Sequence, residues 1–322
     1  MRHKISALTI SLSLPYIKAE QKQTYESDHT RVDLDKKSIM ESADPKLLKK
    51  LQGKKVLIKF GGNAMVNDAA RDSVLRQIAG LKEVGLLPVV VHGGGPFIKK
   101  MLDDAGIKSE FIGGHRVTER NAMQVVELAL SGRVNGEVVK ELNKLNAGAV
   151  GLSGKDGPMV VASKRQHSIT KNKKVHNVDL GFVGDVKSVD TTIIEELLKL
   201  NYLPVISPIA AGEDGEDYNV NADMCAGHLA GALNAEAFVA ITNIDGLMRD
   251  VDDPKSKIET LSAEEAEALF GTVIQGGMIP KIEACIIGLK SGVKAAHIVN
   301  GATESSLINQ LLTNSKPGTT IE

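Results

Sequence analysis

The chain has 322 residues, 42% hydrophobic and 25% charged, with 31 glycines and a formal net charge of −1. Without a basic excess there are no counterions to release from a phosphate backbone, and 3% aromatics with no Trp leave no stacking platform, so nucleic-acid binding is excluded. No apolar run reaches the roughly 20 residues of a membrane helix, so a membrane protein is excluded too, and the length suits one large domain or two lobes.

Residues 1–44 are polar and weakly periodic and are expected to form a flexible N-terminal extension. Its start, Met1-Arg2-His3-Lys4 followed by Ser- and Leu-rich residues to Ile17, has some features of a targeting segment. Its apolar stretch is broken by Ser and Thr and lacks a small-residue cleavage site, so the protein is expected in the cytoplasm. Asp44 and Pro45 supply an N-cap and a first-turn proline for a helix over 45–51. Strand and helix then alternate: strand 56–60, helix 68–84, strand 87–92, helix 95–105, helices 119–132 and 134–146, and strand 149–153. Runs at 158–163 and 174–188 have the look of hairpin strands in a β-rich insert. Helix 191–200, strand 203–208, helix 222–233, strand 237–242, helix 263–270, helix 279–290, strand 296–299 and helix 304–313 complete the pattern. Continuous apolar strands between amphipathic helices predict an α/β fold whose mainly parallel sheet is covered on both faces. The two cysteines, Cys225 and Cys285, sit in apolar-periodic segments with no partner pattern and are expected as buried small hydrophobes in a reducing compartment.

Glycine-rich turns follow the strands at Lys59-Phe60-Gly61-Gly62-Asn63 and His92-Gly93-Gly94-Gly95-Pro96, and a third lies at Gly276-Gly277-Met278-Ile279-Pro280-Lys281. Glycine exposes bare backbone N–H groups, and a helix start adds its positive dipole end, so such turns suit phosphate. None matches a Walker or dinucleotide-binding signature. Lys59 ends an apolar strand, where an ammonium needs an anionic partner, whether a substrate or a strand-end salt bridge. Lys281 could equally be a solvated helix residue. Asn221 reads as an N-cap with Asp223 in the first helical turn, and Arg116, in the glycine-bounded run Gly114-His115-Arg116-Val117-Thr118, suits a carboxylate or simply the surface. His92 reads as a packing residue. No His, Asp or Glu cluster has metal-ligand spacing, so any metal arrives with a nucleotide.

The runs Lys59-Phe60-Gly61-Gly62-Asn63-Ala64-Met65, Val91-His92-Gly93-Gly94-Gly95-Pro96, Arg116-Val117-Thr118, Asn219-Val220-Asn221-Ala222-Asp223 and Gly276 to Lys281 occur in the order found in N-acetylglutamate kinases. The chain resembles that family, part of the amino acid kinase superfamily, over about residues 53–321. The resemblance implies a three-layer αβα sandwich over 45–322, with an N-acetyl-L-glutamate lobe at about 53–210 and an ATP lobe at about 211–322. It also implies phosphorylation of the substrate's γ-carboxylate by ATP in arginine or ornithine biosynthesis. Lys59 and Lys281 would stabilise the transferring phosphoryl group, Asp223 would orient them, and the N–H groups of Gly62 and Gly95 would hold phosphoryl oxygens. Gly94, Gly95, Arg116 and Asn219 would bind the acyl substrate. Gly61, Gly62, Thr242, Asn243, Gly246, Leu247, Met248, Val273, Ile274, Gln275 and Lys281 would meet the nucleotide. Mg2+ would ride on the ATP phosphates with no tightly bound cofactor, and a homodimer or higher homo-oligomer is implied. A carboxylate nucleophile is ionised at neutral pH and needs no general base, which fits a site of lysines and glycines. Sister kinases acting on aminoadipate-type substrates or glutamate, and a noncatalytic ligand sensor, are the alternatives; the retained lysines and Asp223 argue against the sensor.

The chain departs from the family at Asn243, where an Asp is usual, which implies altered ATP affinity rather than inactivity. Arginine-inhibited relatives carry a Tyr-bearing helix before the first strand and a His and a Glu near the C-terminus; here Leu47, Ser305 and Gln310 fall at those positions, and Leu14-Pro15-Tyr16-Ile17 lies too early. A guanidinium site without its carboxylate binds weakly. Titration with arginine should therefore leave turnover nearly unchanged, and strong sub-millimolar inhibition would contradict this.

Overall fold

Strands made of uninterrupted Val, Ile and Leu are buried on both faces here, as a parallel sheet between helical layers requires. The computed structural model describes residues 36–171, 174–250 and 252–322, so the 14–17 run lies outside the described residues. The main sheet comprises β1 (Lys55–Phe60), β2 (Leu87–His92), β3 (Ala149–Ser153), β4 (Leu203–Ser207), β5 (Ala237–Thr242), β6 (Thr260–Leu261), β7 (Ala295–Asn300) and β8 (Thr319–Ile321). Their order is β6-β8-β7-β5-β1-β2-β4-β3, parallel except where β8 runs antiparallel to β7, with β6 following β8. β1 lies between β5 and β2, with Lys59 opposite Ala240 on one side and Val91 on the other.

The helices that frame the sheet and the site include α1 (Pro45–Leu51), α2 (Asp68–Glu83), α3 (Gly95–Asp104), α4 (Arg120–Glu127), α5 (Asn135–Lys144), α6 (Thr192–Lys199), α7 (Ala222–Ala232), α8 (Ile279–Lys290) and α9 (Ser306–Leu312). Val56 and Ile58 point into one core, with Val74 and Ile78 of α2, Val138 and Leu142 of α5, and Leu307 of α9. Leu57 between them points the other way, toward Ile194 of α6, Leu229 of α7 and Ala284 of α8. This strand alternation serves both helical layers and gives the expected αβα sandwich.

The structure corrects several expectations. Residues 36–42 are helical, and Ile39 and Ala43 are buried, so the packed body begins inside the segment 1–44 expected to be a flexible extension. The helices expected over 119–132 and 134–146 are one continuous run, because Leu128–Val134 forms a π-helix joining α4 to α5 rather than a break. The β-rich insert is a closed four-stranded barrel of Val160–Lys164, Val183–Val189, Ile209–Gly212 and Asp217–Val220, with a separate hairpin pairing His167–Lys171 to Lys174–Val178. The hairpin 209–220 was not expected as strands; its Asp214-Gly215 turn, with Gly215 at φ +82°, was the available signal. The barrel runs on through Val220, past the expected lobe division at 210/211. Both cysteines are free and buried, and no described helix is long and apolar enough to cross a membrane.

Candidate active site

The first two glycine turns meet at the carboxyl ends of β1 and β2, beside the point where the chain crosses to the other side of β1, the usual ligand crevice of an open α/β sheet, whereas Gly276 and Gly277 of the third line a different cavity. Gly61 follows β1, and a Cβ there would stand 3.2 Å from Lys59 Nζ and 3.4 Å from Gly93 N. Glycine thus lets the lysine lie over its own turn and lets the two turns touch. Gly62 adopts φ +68°, a left-handed conformation that glycine takes without cost. At Gly94 a Cβ would stand 2.7 Å from Leu130 Cδ2, so the π segment packs directly on the second turn. Gly95 opens α3, whose N-cap Gly94 offers no side-chain acceptor. The first N–H groups of that helix are therefore left for a ligand.

Asp223 is the charged centre. Asn221 caps α7, its Oδ1 accepting from Asp223 N (2.8 Å) and Met224 N (3.2 Å), and this fixes the first helical turn. The Asp223 carboxylate, 6% exposed, then faces Lys59 Nζ at 2.9 Å through Oδ1 and Lys281 Nζ at 3.3 Å through Oδ2. Lys281 also donates a hydrogen bond to Oδ2, whereas Oδ1 has no hydrogen bond of good geometry and meets Lys59 as an ion pair. Burial alone would raise the Asp223 carboxyl, but the charges of Lys59 and Lys281 outweigh it and hold it below the ordinary carboxylate range. For Lys281, burial pushes the ammonium below the ordinary lysine range; Asp223 opposes this and the Lys59 charge adds to it.

Arg116 ends the small hairpin of Phe111–Ile112 and His115–Arg116 and is 9% exposed. Its guanidinium donates to Ser109 Oγ and, at 3.4 Å, to the Gly95 carbonyl, and it lies 4.6 Å from the centre of the Phe111 ring. No carboxylate among the described residues lies within ion-pair distance of it. A buried guanidinium held on one side by a ring, with no carboxylate partner, has the chemistry to bind an anion. It shares a cavity of about 290 Å³ with Lys59, Gly62, Gly94, Gly95, Asn219 and Asp223. Asn219 lies one residue before the end of the barrel strand there, its Nδ2 3.4 Å from Thr118 Oγ1. A second cavity of about 450 Å³ is lined by Asn243, Gly246, Leu247, Met248, Val273 and Gln275. Gln275 and Met278 border it, and Lys281, three residues beyond Met278, reaches Asp223, so one short segment connects the two cavities.

Of the expected nucleotide contacts, Gly61, Gly62, Thr242, Ile274 and Lys281 do not line the second cavity, Gly62 lining the first instead. Ile274 is fully buried in the core, its side chain facing away from the second cavity's wall. Thr242 is buried at the end of β5, its hydroxyl accepting from Ile244 N (2.9 Å) and donating to Ile244 O (3.1 Å), so it shapes the turn rather than the wall. Ser109 and Phe111, which hold Arg116, were missed from sequence; no local pattern distinguishes them from loop residues. Among the described residues no cluster of three or more His, Cys, Asp or Glu could hold a metal ion.

The sheet order and the lysine-bridged carboxylate at its strand ends define a phosphotransferase of the amino acid kinase type. That family matches residues 54–300, including both lysines and Asp223. Carbamate kinase from Giardia lamblia bound to AMP-PNP has the same fold, with a TM-score of 0.59 at 18% identity over 84% of this chain and 98% of that one. N-acetylglutamate synthase from Neisseria gonorrhoeae, complexed with coenzyme A and N-acetyl-glutamate, superposes with a TM-score of 0.70 at 22% identity, over 88% of this chain and 62% of that longer one. Identity is much higher to the acetylglutamate kinase of Heliobacterium modesticaldum, 45% over 89% of this chain and 98% of the relative. The acetylglutamate kinase of Methanococcus maripaludis is 43% identical over 84% of this chain and 93% of its own length. The chain belongs to the amino acid kinase family and, within it, to the acetylglutamate kinases.

A depressed Lys281 loses its proton as pH rises through a value below the ordinary lysine range. The pH profile of kcat should decline there, and Lys281→Arg, charged throughout, should carry that decline to higher pH. An unmoved alkaline limb would exclude Lys281 as the titrating group. The Asp223 pair behaves oppositely: its stabilisation is complete above the ordinary carboxylate range and is lost only as pH falls through the lower folded value.

Proposed function

We propose that the protein transfers the γ-phosphoryl group of MgATP to the γ-carboxylate of N-acetyl-L-glutamate, a step of arginine biosynthesis, giving ADP and N-acetyl-L-glutamyl 5-phosphate. The observation that carries this is the single cavity that holds an unpaired Arg116 at one end and Lys59 with Asp223 at the other. A dicarboxylic acyl amino acid matches it: the α-carboxylate meets Arg116 and Asn219, and the side-chain carboxylate is directed at the lysines. A carboxylate oxygen attacks the γ-phosphorus, the bond from that phosphorus to the β,γ-bridging oxygen breaks, and ADP leaves. No proton moves, so the site needs no general base; His115, which lines the cavity, has its pKa lowered chiefly by burial, and His92 lies buried behind the second turn.

The transition state spreads negative charge over the phosphoryl oxygens and the leaving bridge, so catalysis asks for fixed positive groups. Lys59 and Lys281 share one carboxylate, leaving one net positive charge, with the N–H groups of Gly62 and Gly95 as further donors. The nucleotide lies in the second cavity against Gly246, Leu247, Met248, Val273 and Gln275, and magnesium is carried on its phosphates as part of the co-substrate. Asn243, exposed at that cavity, meets the nucleotide as a neutral amide. The weak arginine response is supported by Gln310, which is fully buried, its amide nitrogen 3.0 Å from Thr320 Oγ1 and its oxygen accepting from Gly318 N at 3.0 Å, so it is not free for a ligand.

ADP release from the purified protein with MgATP should occur with N-acetyl-L-glutamate and fail with free glutamate and N-acetylaminoadipate. Lys59→Ala and Lys281→Ala should each lower kcat by about 10²-fold or more with the fold intact. Preference for another acceptor would overturn the substrate assignment, and undiminished turnover in the lysine variants would overturn their roles.

A further inference from the structure

Behind the second glycine turn lies a buried polar network that the chemistry of transfer leaves unused. His92 is fully buried, with Nδ1 2.9 Å from the Gly93 carbonyl oxygen and Nε2 3.1 Å from Asn135 Nδ2. The same amide nitrogen faces the carbonyl oxygens of Val205 at 3.0 Å and Leu152 at 3.4 Å. Two carbonyls can only accept, so the Asn135 group turned toward His92 is the NH2, which only donates. Nε2 must then accept, the ring proton sits on Nδ1, and Nδ1–H donates to Gly93 O. Among the described residues no charged side chain contacts the ring, and burial lowers its pKa to about 4.

Asn135 reaches this ring because of the π-helix before it. Residues four and five apart share a face in a π turn, which brings Leu130, Val134 and Asn135 to the sheet's carboxyl edge together. Leu130 and Val134 press on Gly94, where a Cβ would stand 2.7 Å and 3.4 Å from them, and Ser131 Oγ lies 2.7 Å from Ser207 Oγ at the end of β4. Asn135 Oδ1 is seated over Gly151, where any Cβ would collide with it.

We propose that His92 and Asn135, delivered by the π turn, are positioning residues for phosphoryl transfer: they lock the Gly93–Gly94 peptide plane and so aim the N–H groups of the turn that meets the substrates. The proposal rests on the acyl-kinase function above. The physical link is the planar trans peptide, in which the Gly94 N–H points opposite to the Gly93 C=O. Tying that carbonyl to the imidazole fixes the N–H direction in a run of three glycines that would otherwise be free to flip.

Three variants and one spectrum test this. His92→Asn keeps a donor near the ring Nδ1 position, whereas His92→Leu keeps none. Per folded molecule, Leu should lower kcat about 10²-fold with the KM for MgATP nearly unchanged, and Asn should recover most of that loss. Equal losses in the two would overturn the proposal. In Asn135→Asp the carboxylate needs a proton on Nε2. The imidazolium still donates to Gly93 O, but the neutral ring leaves its proton facing the carboxylate. That variant should gain an ionisation below the Lys281 limb of the wild type, with kcat falling as pH rises through it; a profile in folded Asn135→Asp that matches the wild type would count against the mechanism. Ring 15N shifts of wild-type His92 need no substrate and should show protonated Nδ1 and unprotonated Nε2. The opposite tautomer overturns the proposal whatever the kinetics, whereas absence of turnover with N-acetyl-L-glutamate in the wild type, with the expected tautomer present, fails the proposed function instead.

Discussion

A carboxylate as buried as Asp223 stays ionised because two ammonium groups face it, and those ammonium groups have it as their counter-ion. That mutual requirement organises the site. Lys59 comes from the end of the central strand, Asp223 from the first turn of α7, and Lys281 from the first turn of α8, so three elements distant in sequence must converge on one pair of oxygens. Convergence in turn leaves little room at Gly61, where a Cβ would stand 3.2 Å from Lys59 Nζ and 3.4 Å from Gly93 N. Removing Asp223 would leave two cations without a counter-ion, so the same contact also ties β1 to the first turns of α7 and α8.

Around that centre the work is divided by charge. On one side lies a small hairpin whose Arg116 has a ring and a hydroxyl but, among the described residues, no carboxylate partner. On the other lies a cavity built from turns after β5 and before α8, where we propose that the nucleotide binds. No proton has to move in a transfer between a carboxylate and a phosphate, so His92, behind the second turn, is free to be buried as a neutral donor. This is why a fold with few titratable groups at its site can still run a kinase reaction.

Much of this was legible in the sequence, and the reasons are physical. β1, β2 and β5 are continuous apolar β-branched runs, which only a doubly covered strand makes sense of, and glycine after each reports a turn close to a ligand. Lys59 stood out because an apolar strand does not tolerate an unpaired ammonium. What could not be read was set by contacts far apart in the chain. The Ser109–Arg116 bond, the Asn135–His92 bond and the burial of Ile274 each depend on a neighbour that only the fold supplies. The π turn escaped because Gly132-Arg133 resembles a helix boundary, and the barrel hairpin escaped because its strands are only four residues long. The helix at 36–42 was masked by the polar composition around Ile39.

The central claim is that Lys59 and Lys281 act as one device through Asp223. A double-mutant cycle on kcat, with Lys59→Ala, Lys281→Ala and the combined variant, tests it most directly. If the two ammonium groups work on one phosphoryl group as a unit, the double variant should lose far less than the product of the single losses. Strictly multiplicative losses would show two independent groups and contradict the account.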